Sequence, residues 1–264
     1  MGNKRDSLGD RMKENYENRA KTYLVRRMPV IIRLDGKAFH TFTCGFDKPF
    51  DKVMMKTMQQ TTLKLCQEIQ GCVFGYTQSD EITLVLVDYN DIDTDAWFDY
   101  SIQKICSVAA SMCTLYFNKY FISNCCNEIS DIEDKAEPTE KEQKLIKTYE
   151  RAMLKGAMFD ARVFNIPVEE VTNCVLWRQQ DATRNSISSL AQSKFSYKEL
   201  HGKNSSQMQD MLMEKFGINW NNFTIPEKRG TAVIKKDTEW VIDYEMPILK
   251  GEDRNYVEKL IKFE

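Results

Sequence analysis

Residues 29–36 read Pro-Val-Ile-Ile-Arg-Leu-Asp-Gly, a run of β-branched residues that stops at an acidic turn. Such a run predicts a largely buried β-strand. Over residues 51–70, apolar side chains recur at spacings of three and four, which predicts a helix that Gly71 ends. Residues 72–77 and 82–87 predict two more strands, and the polar residues between them form the tip of a hairpin.

A second helix and a fourth strand complete this pattern. Apolar side chains line one side of a predicted helix over residues 95–119, and residues 158–166 predict a strand. Between them, residues 127–147 are mostly charged and contain Pro138, which predicts a solvated loop with room for a short helix. The order from the first strand to the fourth is β-α-β-β-α-β, so we expect an α+β protein with the ferredoxin-like fold.

The rest of the chain predicts helices over residues 168–192 and 205–216, followed by a small β-hairpin within residues 231–243. We therefore divide the chain into an α+β domain over residues 1–166 and a C-terminal region of helices and a hairpin, over residues 167–264, that packs on it.

The predicted topology brings two distant acidic residues together. In a ferredoxin-like sheet the first and second strands run parallel, and the third lies antiparallel between them. The end of the first strand and the tip of the hairpin then share one edge of the sheet. Because neighbouring strands are about 4.8 Å apart, we expect Asp35 and Asp80 to converge.

Two carboxylates at close range repel each other unless a cation lies between them. Mg²⁺ prefers oxygen ligands, and two such ions can hold the attacking and leaving oxygens of a phosphoryl transfer. The backbone carbonyl of Gly36 offers one more oxygen ligand, and Ser79 a hydroxyl donor. We also expect the amides that follow to cradle phosphate oxygens, namely those of Lys37, Ala38, Phe39 and His40. Asp-Gly and Ser-Asp-Glu are also common turn sequences, so a purely structural role stays open.

Composition limits the kinds of partner. The chain has 264 residues and a net charge of −2, from 37 basic and 39 acidic side chains. Any nucleic acid must therefore be bound by local basic clusters, since the chain as a whole is not basic. There are eight cysteines without a Cys-x-x-Cys pair and only two histidines, which disfavours a zinc site and favours a reducing, cytoplasmic setting. No stretch approaches about 18 apolar residues, so we expect no membrane span.

Several segments resemble the tRNA-histidine guanylyltransferase family, and they occur in the family's order. They are R-L-D-G-K-A-F-H at residues 33–40, K-P at 48–49, Y-T-Q-S-D-E at 76–81, F-D-A-R-V at 159–163, W-R-Q-Q-D at 177–181, I-N-W-N-N at 218–222 and R-G-T at 229–231. The resemblance covers most of the chain.

Members of this family add nucleotides to the 5′ end of tRNA in the 3′-to-5′ direction, with a catalytic domain similar to the palm of polymerases. The resemblance implies that residues 1–166 form such a palm-like domain. It implies that Asp35, the Gly36 carbonyl and Asp80 bind two Mg²⁺ ions, with Asp35 and Asp80 as the catalytic residues. Residues 35–40 with Ser79 and Asp80 would then hold the nucleotide, and Lys48 would contact its triphosphate. ATP, GTP or other nucleoside triphosphates are the implied substrates, tRNA the implied partner and a homotetramer the implied assembly.

One segment departs from the family pattern. Members that guanylate tRNA-histidine carry His-Ile-Asn-Asn where residues 183–186 read Thr-Arg-Asn-Ser, so only Asn185 is kept. This resembles the Thg1-like branch, a group of 3′-5′ RNA polymerases that repairs 5′-truncated tRNA by templated addition. Within and near this helix we expect contacts with RNA from Arg178, Arg184, Asn185 and Lys203.

Two other functions are compatible with these residues. A palm-fold nucleotide cyclase would share the sheet and its aspartates, and would act on a free triphosphate without RNA. A non-catalytic RNA-binding module would bind RNA without turnover and would tolerate loss of Asp80.

Overall fold

A computed structural model describes residues 7–262 and contains one six-stranded antiparallel sheet in the order β4-β1-β3-β2-β5-β6. The strands are β1 (Val30–Gly36), β2 (Cys72–Gln78), β3 (Glu81–Leu86), β4 (Phe159–Asn165), β5 (Thr231–Lys236) and β6 (Glu239–Asp243).

The α-helices among the described residues range from one turn to 32 residues. They are α1 (Ser7–Met12), α2 (Phe39–Phe42), α3 (Lys52–Glu68), α4 (Ile102–Glu133), α5 (Glu140–Lys155), α6 (Val168–Gln192), α7 (Tyr197–Leu200), α8 (Ser205–Phe216), α9 (Ile225–Arg229) and α10 (Asn255–Glu258).

The order β1-α3-β2-β3-α4-β4 and the strand arrangement β4-β1-β3-β2 confirm the predicted ferredoxin-like fold. The C-terminal hairpin extends the same sheet, because β5 pairs with β2 and places Val233 opposite Gly75. The predicted hairpin is therefore part of the main sheet. The division at residue 166 stays a prediction.

Side chains alternate between the two faces of the sheet, as a strand requires. Val30, Ile32 and Leu34 of β1 face α3 and α4, where they join a core that includes Phe117. Ile31 points to the other face. There, the core contains residues from β2, β3, α6 and the C-terminal segment, namely Phe74, Val85, Val171, Val175, Leu249 and Val257. The sheet is thus covered on both faces.

The prediction of a solvated loop over residues 127–147 is wrong. Helix α4 continues to Glu133, and α5 begins at Glu140 after Thr139, whose side chain forms a capping box with Glu142. The charged side chains occupy the exposed sides of these helices, while Ile132 and Tyr149 are buried. Within residues 7–262, no helix combines the length and the apolar character needed to cross a bilayer.

Candidate active site

The strand register places three acidic residues in one row across the sheet. Asp35 at the end of β1 lies opposite Glu81 on β3 and opposite Asp160 on β4. Directly opposed residues of antiparallel strands point to the same face. Asp80 immediately precedes Glu81, at the tip of the β2–β3 hairpin. The structure thus brings Asp35 and Asp80 to the same edge, as the topology predicted.

The carboxyl of Asp80 lies in an unfavourable electrostatic setting. Burial raises its pKa above the usual range, and repulsion from Asp35 and Glu81 raises it further. The hydroxyl of Ser79, which donates a hydrogen bond to Asp80 Oδ1 at 3.0 Å, acts in the opposite direction. The side chain of Asp35 is 39% exposed and therefore accessible from solvent. A cation at this edge would relieve the repulsion between the two carboxylates.

The donor atoms at this edge suit a hard cation. Among residues 7–262 there is no set of three or more His, Cys, Asp and Glu side chains placed to hold a metal. The side-chain ligands would therefore be the carboxylates of Asp35 and Asp80 alone. Mg²⁺ is usually held by one or two carboxylates, with substrate phosphates and water as its other ligands, so this donor set fits Mg²⁺.

The segment after β1 turns tightly towards the core. A Cβ at Gly36 would lie 2.1 Å from the ring of Phe39, so glycine is required for packing. Phe39 is buried against Phe117 and therefore cannot contact a nucleotide with its ring. The amide of Lys37 donates to the carbonyl of Met158 at 2.8 Å. The prediction that this amide cradles phosphate is therefore wrong, because a strand-like hydrogen bond already uses it.

The other residues of this segment have different settings. Ala38 adopts a left-handed conformation with φ of 56° and starts helix α2. The side chains of Lys37 and His40 are exposed. They are therefore available to a ligand at this edge.

A cleft of about 270 Å³ opens beside the hairpin tip. It brings together Lys48 and Ser79, which are far apart in the sequence, and it is closed on the far side by helices α6 and α9. Lys48 is exposed, and Ser79 adjoins Asp80. Other residues that line the cleft are Phe50, Asn185, Arg229 and Gly230. The lining is mixed, with apolar side chains beside the basic Lys48 and Arg229 and the acidic Asp47 and Glu227. A phosphorylated ligand here would therefore be held by the basic side chains together with cations.

The first turn of α3 forms one wall of the cleft. Asp51 caps this helix by accepting a hydrogen bond from the amide of Met54 at 2.9 Å, and it also accepts one from the hydroxyl of Tyr149 at 2.8 Å. Burial raises the pKa of Asp51 despite these bonds. Because Tyr149 belongs to α5, the buried Asp51 links this wall of the cleft to α5.

The four predicted RNA contacts lie in different environments. Arg178 is only 4% exposed and forms ion pairs with Glu81 and Asp181, so its guanidinium would have to leave these partners to reach RNA. Arg184 is 56% exposed and also pairs with Asp181, at 2.7 Å. Asn185 lines the cleft, and Lys203 lies exposed on the turn between α7 and α8. Arg178, Arg184 and Asn185 all donate to the carboxylate of Asp181, Asn185 at 3.4 Å. Contact with RNA stays a prediction for all four residues.

Arg229 and Gly230 were missed as cleft residues, although they belong to a matching sequence segment. Burial lowers the pKa of Arg229, whose Nε donates to the carbonyl of Met246 at 3.3 Å. Gly230 has φ of 84°, and a Cβ there would lie 2.5 Å from the hydroxyl of Tyr76. The sequence signal for these two residues was the Arg-Gly-Thr match to the family, and this match does not show where in the fold the segment lies.

The family model described as tRNAHis guanylyltransferase, Thg1, matches residues 9–167. An uncharacterised protein of Acanthamoeba polyphaga mimivirus is 28% identical over 249 residues, which cover 88% of this chain and 77% of that protein. A probable tRNA(His) guanylyltransferase of Dictyostelium discoideum is 26% identical over 229 residues, covering 82% of this chain and 78% of that protein.

Solved structures agree with this assignment. A bacterial tRNA(His) guanylyltransferase (Thg1)-like protein in complex with ATP is 40% identical, with a TM-score of 0.82 and coverage of 97% of this chain and all of that one. A second such bacterial structure, in complex with GTP, is 36% identical, with a TM-score of 0.77 and coverage of 98% of this chain and all of that one. The chain therefore belongs to the tRNA-histidine guanylyltransferase family of nucleotidyltransferases.

Proposed function

We propose that this protein adds nucleotides in the 3′-to-5′ direction to the 5′ end of truncated tRNA, directed by the opposite RNA strand. The observation that carries this proposal is the convergence of Asp35 and Asp80 at one sheet edge, directly beside the cleft that contains Lys48 and Ser79. ATP- and GTP-bound relatives of high structural similarity support the choice of nucleoside triphosphates as substrates.

The cleft offers charges of both signs for a triphosphate held through cations. Asp35, Asp80 and the Gly36 carbonyl would hold Mg²⁺, which supplies Lewis-acid stabilisation of phosphate charge when it is bound. Lys48 contributes a positive charge for the outer phosphates. The exposed side chains of Lys37 and His40 adjoin the same edge. We assign them to the nucleotide as well.

The reaction has two steps for a 5′-monophosphorylated RNA. An oxygen of the RNA 5′ phosphate attacks the α-phosphorus of ATP, which forms an adenylylated 5′ end and releases pyrophosphate. The 3′-hydroxyl of the incoming nucleotide then attacks the RNA 5′ phosphorus, which forms a phosphodiester bond and releases AMP. A 5′-triphosphate end skips the first step and releases pyrophosphate in the second. The residues of the edge orient these groups in line.

The choice of base need not come from the protein. Pairing of the incoming nucleotide with the opposite strand selects the base, and the Thr-Arg-Asn-Ser segment at residues 183–186 replaces the His-Ile-Asn-Asn of strict tRNA-histidine enzymes. We therefore propose that the protein repairs several truncated tRNA species. We also propose a cytoplasmic homotetramer, which light scattering of the purified protein would test.

The function is tested by incubating wild type, Asp35→Asn and Asp80→Asn with 5′-truncated tRNA, Mg²⁺, ATP and labelled GTP. We expect a loss of addition of at least about a hundredfold in both variants, since each removes a carboxylate that would hold Mg²⁺ next to the reacting phosphates. Asp253→Asn, an exposed carboxyl on a C-terminal turn, is the matched control and keeps full activity. Full activity in either aspartate variant would refute the proposal, and turnover of free GTP without RNA would indicate a cyclase.

A further inference from the structure

One carboxylate beside the active edge faces two guanidinium groups. Arg33 Nη2 donates a hydrogen bond to Glu81 Oε2 at 3.3 Å, and Arg178 Nε lies 3.2 Å from the same oxygen. The side chain of Glu81 is 22% exposed. Its charge is therefore balanced by cations of the protein itself. Asp35, at the same edge, also meets a guanidinium, but that of Arg162 is 60% exposed and lies 3.8 Å from Asp35 Oδ2.

Arg178 is confined at its end of this bridge, although its buried Nε contacts Glu81 as an ion pair without hydrogen-bond geometry. It projects from the middle of α6, its side chain is only 5% exposed, and it also pairs with Asp181. Its guanidinium lies 4.2 Å from the ring centre of Trp177. Loss of a partner from a buried ion pair is strongly destabilising, so Arg178 and Glu81 are held together.

The bridge reaches both strands that carry the metal-binding aspartates. Arg33 precedes Asp35 by two residues on β1 and therefore points to the same face. Glu81 follows Asp80 directly. Besides this bridge, the tip has a hydrogen bond from Thr77 Oγ1 to the Glu81 carbonyl at 2.9 Å. One carboxylate thus ties the end of β1 and the start of β3 to α6.

We propose that Glu81 is a positioning residue that sets the place of Asp80 relative to Asp35 through its ion pairs with Arg33 and Arg178. This inference rests on the proposed function of the two aspartates. Groups that orient metal ligands typically change metal affinity by about 10- to 100-fold when they are removed. Misplacement of a reacting group by an ångström can cost about a hundredfold in rate.

The test compares Glu81→Gln with the double variant Glu81→Gln and Arg178→Gln. The single variant leaves the buried guanidinium of Arg178 with Asp181 as its remaining charged partner, whereas the double variant removes both charges of the Glu81–Arg178 pair and leaves Asp181 paired with Arg184. For each protein we would measure thermal unfolding, kcat and KM for GTP in the tRNA addition assay. Mn²⁺ binding would be followed by electron paramagnetic resonance with a non-hydrolysable GTP analogue present.

We expect Glu81→Gln to lose about tenfold or more in kcat and in Mn²⁺ affinity, while KM for GTP changes little. The double variant regains the thermal stability of the wild type but not its kcat. Asp88→Asn is the matched control. Asp88 is a buried carboxylate beyond the opposite end of β3 that accepts from Arg26 Nε at 2.6 Å, so this variant loses stability and keeps kcat.

Two results would overturn the inference alone. The first is a kcat of Glu81→Gln that equals the wild-type value. The second is recovery of kcat together with thermal stability in the double variant, which would show that the ion pair is purely structural. A wild-type protein that neither binds Mn²⁺ nor adds nucleotides would overturn the proposed function, and this inference with it.

Discussion

The ionised carboxyl of Asp80 carries a folding cost. Because its pKa is higher in the folded chain than in the unfolded one, ionisation of this carboxyl opposes folding, and the cost disappears as the pH falls through that pKa. We predict that Asp80→Asn raises the free energy of unfolding by about 1 kcal/mol at neutral pH in the presence of EDTA. The difference should shrink at acidic pH, where the wild-type carboxyl is protonated.

Urea denaturation at several pH values measures this effect, with Asp253→Asn as a variant that changes nothing. Mg²⁺ should stabilise the wild type but not Asp80→Asn, because a ligand that binds only the folded state stabilises it. A lower stability of Asp80→Asn than of the wild type, in EDTA at neutral pH, would contradict the prediction. It would mean that the hydrogen bonds of the ionised carboxylate stabilise the fold by more than burial and repulsion destabilise it.

At the same scale, the sequence was informative for the two aspartates and misleading for Arg178. The aspartates follow strands whose pairing is set by local patterns, so their convergence could be predicted. Arg178 was expected to contact RNA because its helix carries the densest match to the family segments. Its burial depends on partners from β3 and from the next turn of α6, Glu81 and Asp181, and such a combination has no signal in a single sequence.

At the scale of elements, α5 begins at a capping box, although the charged composition of the segment had suggested a loop. Thr139 accepts a hydrogen bond from the Glu142 amide at 3.2 Å, and the Glu142 carboxylate accepts one from the Thr139 amide at 2.8 Å. We predict that Thr139→Ala lowers the free energy of unfolding by about 1 kcal/mol. Thr148→Ala, within the same helix, should be close to neutral, because its hydroxyl only bonds back to the Lys144 carbonyl. Chemical denaturation of the two variants makes the comparison, and equal losses would contradict the role of the cap.

The wrong prediction of a loop over residues 127–147 has a physical explanation at the same scale. Residues 127–147 are rich in charge because both helices expose most of their surface there, and each turn contributes few buried side chains, among them Ile132 and Leu145. The Thr-x-x-Glu signature of a capping box was present in the sequence at Thr139. Greater weight on the cap than on composition would have predicted α5.

Over the whole molecule, the sheet is completed by residues from the far end of the chain. The central order of four strands was predictable because β2 and β3 form a hairpin and the order β-α-β-β-α-β is typical of a ferredoxin-like sheet. The pairing of β5 with β2 was not, since any exposed strand edge offers the same hydrogen-bonding groups. The second core depends on the same late segments, because α6 and the residues after β6 cover Ile31, Phe74 and Val85.

This dependence predicts that residues 1–166 do not fold alone, even though they contain the complete βαββαβ unit and both aspartates. Without the rest of the chain, one face of the sheet and the edge of β2 would be exposed, and apolar area on that scale drives aggregation. We expect the fragment to be insoluble or to bind a hydrophobic dye, and to regain solubility when residues 167–264 are expressed with it. Circular dichroism and sedimentation of the fragment, alone and co-expressed, provide the measurement. A soluble fragment with cooperative unfolding would mean that the face towards α3 and α4 stabilises the sheet by itself, and that the second core is dispensable for folding.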